Sequence, residues 1–200
     1  MDYEIIIQAF WLIIPAYIAN ASALLVGGGT PIDFGKTYKD GKRILGDGKT
    51  WRGLFVGTFV GVTAGFGLSV AAKYAALYEF PITLSDFTGF PFMMPLIFSI
   101  CFGALLGDIV ESFFKRRVGK NRGEDWIPFD QLDFIIGVLI ATFLMGLLLQ
   151  VTGLLSYNWF FNNFTPLHIL VLLIATPFIH LFSNFVHRKT KRKTLPKKSI

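Results

Sequence analysis

Six residues carry the clearest chemical signal in this chain. Asp108, Glu111, Ser112 and Lys115 fall at i, i+3, i+4 and i+7, so in a helix they share one face. Asp130 and Asp133, at i and i+3 of the next apolar segment, share a face of their own. Two acidic pairs at neighbouring helix ends, followed by Lys115, Arg116 and Arg117, describe a hard-cation site with phosphate around it. Carboxylate oxygens suit Mg2+, which keeps several waters and shares substrate phosphates. A plainer reading makes Asp130 a helix cap and pairs Asp108 with Arg116.

A second polar region precedes these acids. It runs Gly27-Gly28-Gly29-Thr30-Pro31-Ile32-Asp33-Phe34-Gly35-Lys36, then Asp40-Gly41-Lys42-Arg43 and Gly46-Asp47-Gly48-Lys49-Thr50-Trp51-Arg52-Gly53. Glycines let a backbone approach a ligand and turn its N–H groups toward phosphate oxygens. Lys42, Arg43, Lys49 and Arg52 add positive charge and forked donors. Gly48-Lys49-Thr50 looks like the end of a P-loop, but Arg43 stands where the opening glycine belongs and no strand precedes it. His168 and His180 are more than three helical turns apart without a third ligand, which argues against zinc. Cys101 reads as a packed apolar residue.

The elements that position these groups follow from composition. Of 200 residues, 53% are hydrophobic and only 16% charged, with mean hydropathy +0.56. Soluble domains carry roughly 25% charged residues, so a water-soluble globule or a disordered tail is excluded. Five uncharged stretches, 5–26, 53–72, 87–106, 134–155 and 166–186, each approach the roughly 20 residues a helix needs to cross a bilayer. Ala19-Asn20-Ala21 resembles a leader cleavage site, but Asp2 and Glu4 precede it where a leader carries positive charge, so the first span is read as retained. All Lys and Arg except Lys73 fall in 27–52, in 114–130 or after His187. The positive-inside rule then predicts an all-α integral membrane protein of five spans. Its N-terminus faces out, two functional loops (27–52 and 114–130) face the cytoplasm, and a basic tail (187–200) anchors there. The residues form one catalytic domain, 1–200. The net charge of +6 records topology and gives no sign of a nucleic-acid partner. Gly53, Gly57, Gly61 and Gly65, and then Gly103 and Gly107, make smooth faces for close helix packing.

Gly107-Asp108-Ile109-Val110-Glu111-Ser112-Phe113-Phe114-Lys115-Arg116 with Asp130-Gln131-Leu132-Asp133 resembles the signature of the phosphatidate cytidylyltransferases, the CDP-diacylglycerol synthases. The chain lacks their His-Gly-Gly, shortens the intervening loop and has Gln131 where Arg is usual. Those departures, with the Asp40–Arg43 and Gly48–Gly53 segments, resemble the archaeal branch, the CDP-archaeol synthases. The resemblance implies cytidylyl transfer from CTP to 2,3-bis-O-geranylgeranylglycerol phosphate at the cytoplasmic face of the cell membrane. It implies Mg2+ on Asp108, Asp130 and Asp133, with Glu111 as ligand or neighbour. Lys49, Lys115 and Arg116, with Lys120 and Arg122, are implied to hold the triphosphate. Lys42 and Arg43 hold either CTP or the lipid phosphate, and Ser112 and Arg52 complete the set. The lipid tails are implied to reach the site through an apolar crevice between helices.

An ester-lipid cytidylyltransferase and a non-enzymatic lipid-binding or transport protein are the competing readings; homo-oligomerisation stays open. A transporter would want charges lining the spans, which are charge-free. The CDP-alcohol phosphotransferase and lipid phosphatase motifs are absent.

Overall fold

The computed structural model describes residues 3–121, 123–124 and 126–179. Arg122, His180, His187 and the basic tail therefore lie outside the described residues. The order is α1 (Tyr3–Leu25), α2 (Trp51–Leu77), α3 (Met93–Arg117), α4 (Phe129–Val151), a short α5 (Trp159–Asn163) and α6 (Pro166–Ile179). The first four are long and apolar enough to cross a membrane. Among the described residues there is no strand, only isolated bridges joining Pro31 to Thr50 and Thr37 to Arg43. The fifth expected span, 166–186, is described only through α6.

Helix ends depart from the hydropathy limits for local reasons. The third helix starts at Met93 rather than at 87, because Phe87, Thr88 and Gly89 adopt left-handed φ of 54°, 69° and 70°. Phe87 is nonetheless buried, stacked on Trp159 at 6.0 Å between ring centroids. At its other end α3 runs past the apolar stretch to Arg117, so Asp108, Glu111, Ser112 and Lys115 stand on one continuous helix. It stops in a Schellman motif: Gly119 has φ +82°, its N–H donates to Arg116 O, and Lys120 N–H donates to Lys115 O. In α2 the Thr50 hydroxyl caps the first turn by accepting from Gly53 N–H at 3.1 Å.

Glycine faces set the helix spacing. A Cβ at Gly57 would lie 2.8 Å from Ala19 O, and one at Gly61 would lie 2.8 Å from Pro15 O and 2.7 Å from Cys101 Sγ. These glycines wedge α2 against α1 and α3. Between α3 and α4 the fit is tighter still. A Cβ at Gly107 would strike Asp133 O, and one at Gly137 would strike Gly103 O. In a bilayer such packing and backbone proximity replace the hydrophobic drive between helices.

Gly107→Ala and Gly137→Ala should each destabilise the protein by about 1–3 kcal/mol through overpacking. Gly67, on α2, supplies the control, because a Cβ added there would meet nothing within 4 Å among the described residues. Gly67→Ala should leave stability unchanged or raise it by up to about 1 kcal/mol. Thermal unfolding in detergent measures this, and equal effects at all three positions would contradict it.

Candidate active site

The first polar loop is built around one buried carboxylate. Asp33 accepts from the backbone N–H of Gly35 (3.1 Å), Leu45 (3.0 Å) and Gly46 (3.0 Å), and from the Arg43 guanidinium at 2.9 and 3.3 Å. Burial alone would push its carboxyl up. The Arg43 guanidinium and the N–H groups of Gly46, Leu45 and Gly35 outweigh that and hold it well below the usual carboxylate range. The last turn of α3 clamps the same loop. Arg117 pairs with Asp40 at 2.6 Å, donates to the carbonyls of Lys42 and Arg43, and lies over the rings of Tyr38 and Phe113. Arg116 donates to Leu45 O (3.2 Å) and Lys120 O, and Lys42 Nζ returns a bond to Arg117 O at 3.1 Å.

The close approach of α3 and α4 brings Asp108, Glu111 and Asp133 together. One carboxylate oxygen from each lies within 4.8 Å of the others. Glu111 is buried, and its Oε1 has no hydrogen-bond partner among the described residues. All-oxygen donors in this arrangement fit a hard divalent cation. Two ammonium groups flank the trio. Lys49 Nζ meets Asp108 Oδ2 at 2.5 Å. Lys115 Nζ meets both Asp130 oxygens at 2.7 and 2.8 Å and lies 3.8 Å from Glu111 Oε1. Asp130 also accepts from Trp126 N–H at 2.8 Å. It is thus bound to Lys115 and to the entry of α4, while Asp133 is the α4 carboxylate that joins the trio.

These residues wall a polar cavity of about 700 Å3. Lys42, Arg43, Lys49, Lys115, Arg116 and Lys120 contribute cations to it, and Ser112, which donates to Glu111 Oε2 at 3.4 Å, lines it as well. Arg52 does not line it; its Nε donates to Val26 O at 2.8 Å and ties α2 to the end of α1. Along α3 and α4 lies a second space, a groove of about 630 Å3, walled by residues such as Leu106, Val110, Phe114, Leu132, Ile136 and Ile140. Its floor is Gly103, Gly107 and Gly137. Glu111 and Asp133 border both spaces, and among the described residues they are the only charged ones lining the groove.

The CarS-like family model, CDP-archaeol synthase, matches residues 2–196. The chain belongs to the CDP-archaeol synthase family. A CDP-archaeol synthase of Methanocorpusculum labreanum is 44% identical over 92% of this chain and 99% of its own. One of Archaeoglobus fulgidus is 40% identical over 96% of this chain and 98% of its own. A solved structure of an intramembrane enzyme for archaeal membrane lipids biosynthesis superimposes with a TM-score of 0.66 at 34% identity, covering 90% of this chain and 94% of that one. The chain is accordingly a multi-pass membrane enzyme, and its acidic cluster is one that could bind a metal ion.

Among these residues of the CDP-archaeol synthase fold, sequence reasoning gave Asp33 no role. Its signal was the Asp-x-Gly spacing of an Asx-turn, with Gly35 at φ +78°. Asp33→Asn removes the charge that anchors Arg43 and two N–H groups of the cavity rim. It should speed tryptic cleavage at Lys39, Lys42 and Arg43 about tenfold, since roughly 1.4 kcal/mol of local stability corresponds to that factor. A group whose folded pKa is depressed gives stability above its unfolded value near 3.9, lost only as pH falls toward the folded value. Wild-type protection, followed with proteases active at each pH, should therefore stay flat from pH 8 to pH 5. Equal cleavage of variant and wild type would contradict the role.

Proposed function

We propose that the chain transfers the cytidylyl group of CTP to 2,3-bis-O-geranylgeranylglycerol phosphate, giving CDP-archaeol and pyrophosphate. The observation that carries this reading is the junction: a cation-rich cavity of nucleotide size and an apolar groove along α3 and α4 meet at Glu111 and Asp133. A water-soluble triphosphate and an isoprenoid ether lipid require two such spaces with one shared point. A phosphate oxygen of the lipid attacks the α-phosphorus of CTP, a new P–O bond forms, and the bond to the β-phosphate breaks. The attacking oxygen is already ionised at neutral pH, so no side chain need act as base.

Asp108, Glu111 and Asp133 would hold Mg2+, which supplies charge neutralisation at the α-phosphate and a template for both substrates. Lys49, Lys115, Arg116 and Lys120 bind the triphosphate and the departing pyrophosphate, with Lys42 and Arg43 at the rim. Arg122, which lies outside the described residues, is assigned the same role from its place in the basic run that follows α3. Asp130 aims the Lys115 ammonium, and Ser112 orients Glu111. Arg52 belongs to the loop's support rather than to CTP. The reading carries five crossings, with α6 opening the fifth. The N-terminus faces out and the site faces the cytoplasm, which the placement of every basic residue but Lys73 supports.

Purified protein with Mg2+, CTP and the ether-lipid phosphate should release pyrophosphate, and EDTA should stop it reversibly. Asp108→Asn and Asp133→Asn should each lower turnover on the order of a thousandfold. Asp130→Asn, acting through Lys115, should cost roughly ten- to a hundredfold. Tolerance of Asp133→Asn would overturn the assignment, and equal rates with ester-linked phosphatidate would broaden the substrate. Ile136→Trp, which fills the groove, should raise KM for the lipid severalfold and leave CTP affinity unchanged; a change in CTP affinity alone would place the lipid elsewhere.

A further inference from the structure

Asn20 sits near the loop-side end of α1, and its Oδ1 is buried without a hydrogen-bond partner among the described residues. A buried amide oxygen lacking a donor is costly, so this side chain is poorly explained by packing. It lines a cavity of about 90 Å3 whose other polar walls are Lys49, Thr50 and Asp108. The Thr50 hydroxyl is committed to the Gly53 N–H. Lys49 directs its ammonium to Asp108 at 2.5 Å, and an ammonium carries three N–H donors. The cavity is partly open and large enough to admit water, and its walls supply the polar partners that an ordered water needs. Helix α1, the first polar loop and α3 thus bring one orphaned acceptor, one cation and one carboxylate to a shared space beside the main cavity.

We infer that Asn20 is a positioning residue of the nucleotide site. Its Oδ1 receives an N–H of Lys49 through water held in the small cavity, and so keeps the ammonium poised between Asp108 and the triphosphate. This rests on the reading that Lys49 binds the triphosphate of CTP. It gives the polar residue of the Ala19-Asn20-Ala21 triplet a task that no contact within α1 explains.

The test is a double-mutant cycle on full-length protein in nanodiscs, reading the Kd for CTP by equilibrium dialysis with Mg2+, and Tm in parallel. Asn20→Leu should weaken CTP about fivefold and leave Tm unchanged, whereas Lys49→Met should weaken CTP about tenfold or more. The double variant should bind CTP within about twofold of Lys49→Met, because the two residues act as one unit. A lowered Tm with unchanged CTP affinity in Asn20→Leu would make the residue structural and overturn the role. So would a fivefold loss carried undiminished onto Lys49→Met. Failure of the wild type itself to bind CTP would remove the assignment of Lys49 first and this inference with it.

Discussion

The whole site depends on how closely α3 can approach α4. With no side chain at Gly103, Gly107 or Gly137, the two backbones come near enough that any added Cβ would strike the opposite chain. That approach sets Asp108 and Glu111 of one helix against Asp133 of the other. Three carboxylates within 4.8 Å repel one another by a few kcal/mol per pair at an effective dielectric constant near 20. Such a cluster persists only where cations repay it. Lys49 at Asp108 and Lys115 near Glu111 supply two, and the oxygens lie close enough together to suit a third. The same glycines line the apolar groove, so one packing solution builds both the acidic cluster and the groove beside it.

Around that centre the basic residues divide their work in a way that their clustering conceals. Arg117 is spent on Asp40 and on backbone carbonyls of the first loop, and Arg116 gives two of its donors to carbonyls while still lining the cavity. Arg43 is tied to Asp33 and Asp47 at 2.9 and 2.8 Å. The guanidinium forks thus shape the loop, and the Lys49 and Lys115 ammoniums stand against the carboxylates of α3 and α4. This suits their chemistry: a rigid fork holds carbonyls and carboxylates in fixed geometry, and a flexible point charge can follow a phosphate.

Much of this was legible from residue order because it is local. The face formed by Asp108, Glu111, Ser112 and Lys115 follows from helical periodicity alone, and four of the five uncharged stretches read as spans correspond to the long helices α1–α4. What local order left open is tertiary. Asp130 and Asp133 looked equivalent, since both share a face of α4. Only the rotation of α4 against α3 sends Asp133 to the acidic trio and Asp130 to Lys115. Hydropathy likewise started the third helix too early, because Phe87 is buried in a loop whose left-handed backbone no apolarity scale registers. Asp33 escaped notice because its importance lies in five donors gathered from residues 35–46, which become neighbours only once the loop is folded.

In the proposed mechanism Asp108, Glu111 and Asp133 bind one divalent cation and Asp130 does not. Mn2+ titration of the purified protein with CTP, followed by electron paramagnetic resonance, tests it most directly. A single site should be present in the wild type and in Asp130→Asn, and lost in Asp108→Asn and Asp133→Asn. A site that survives Asp133→Asn but disappears with Asp130→Asn would contradict the claim.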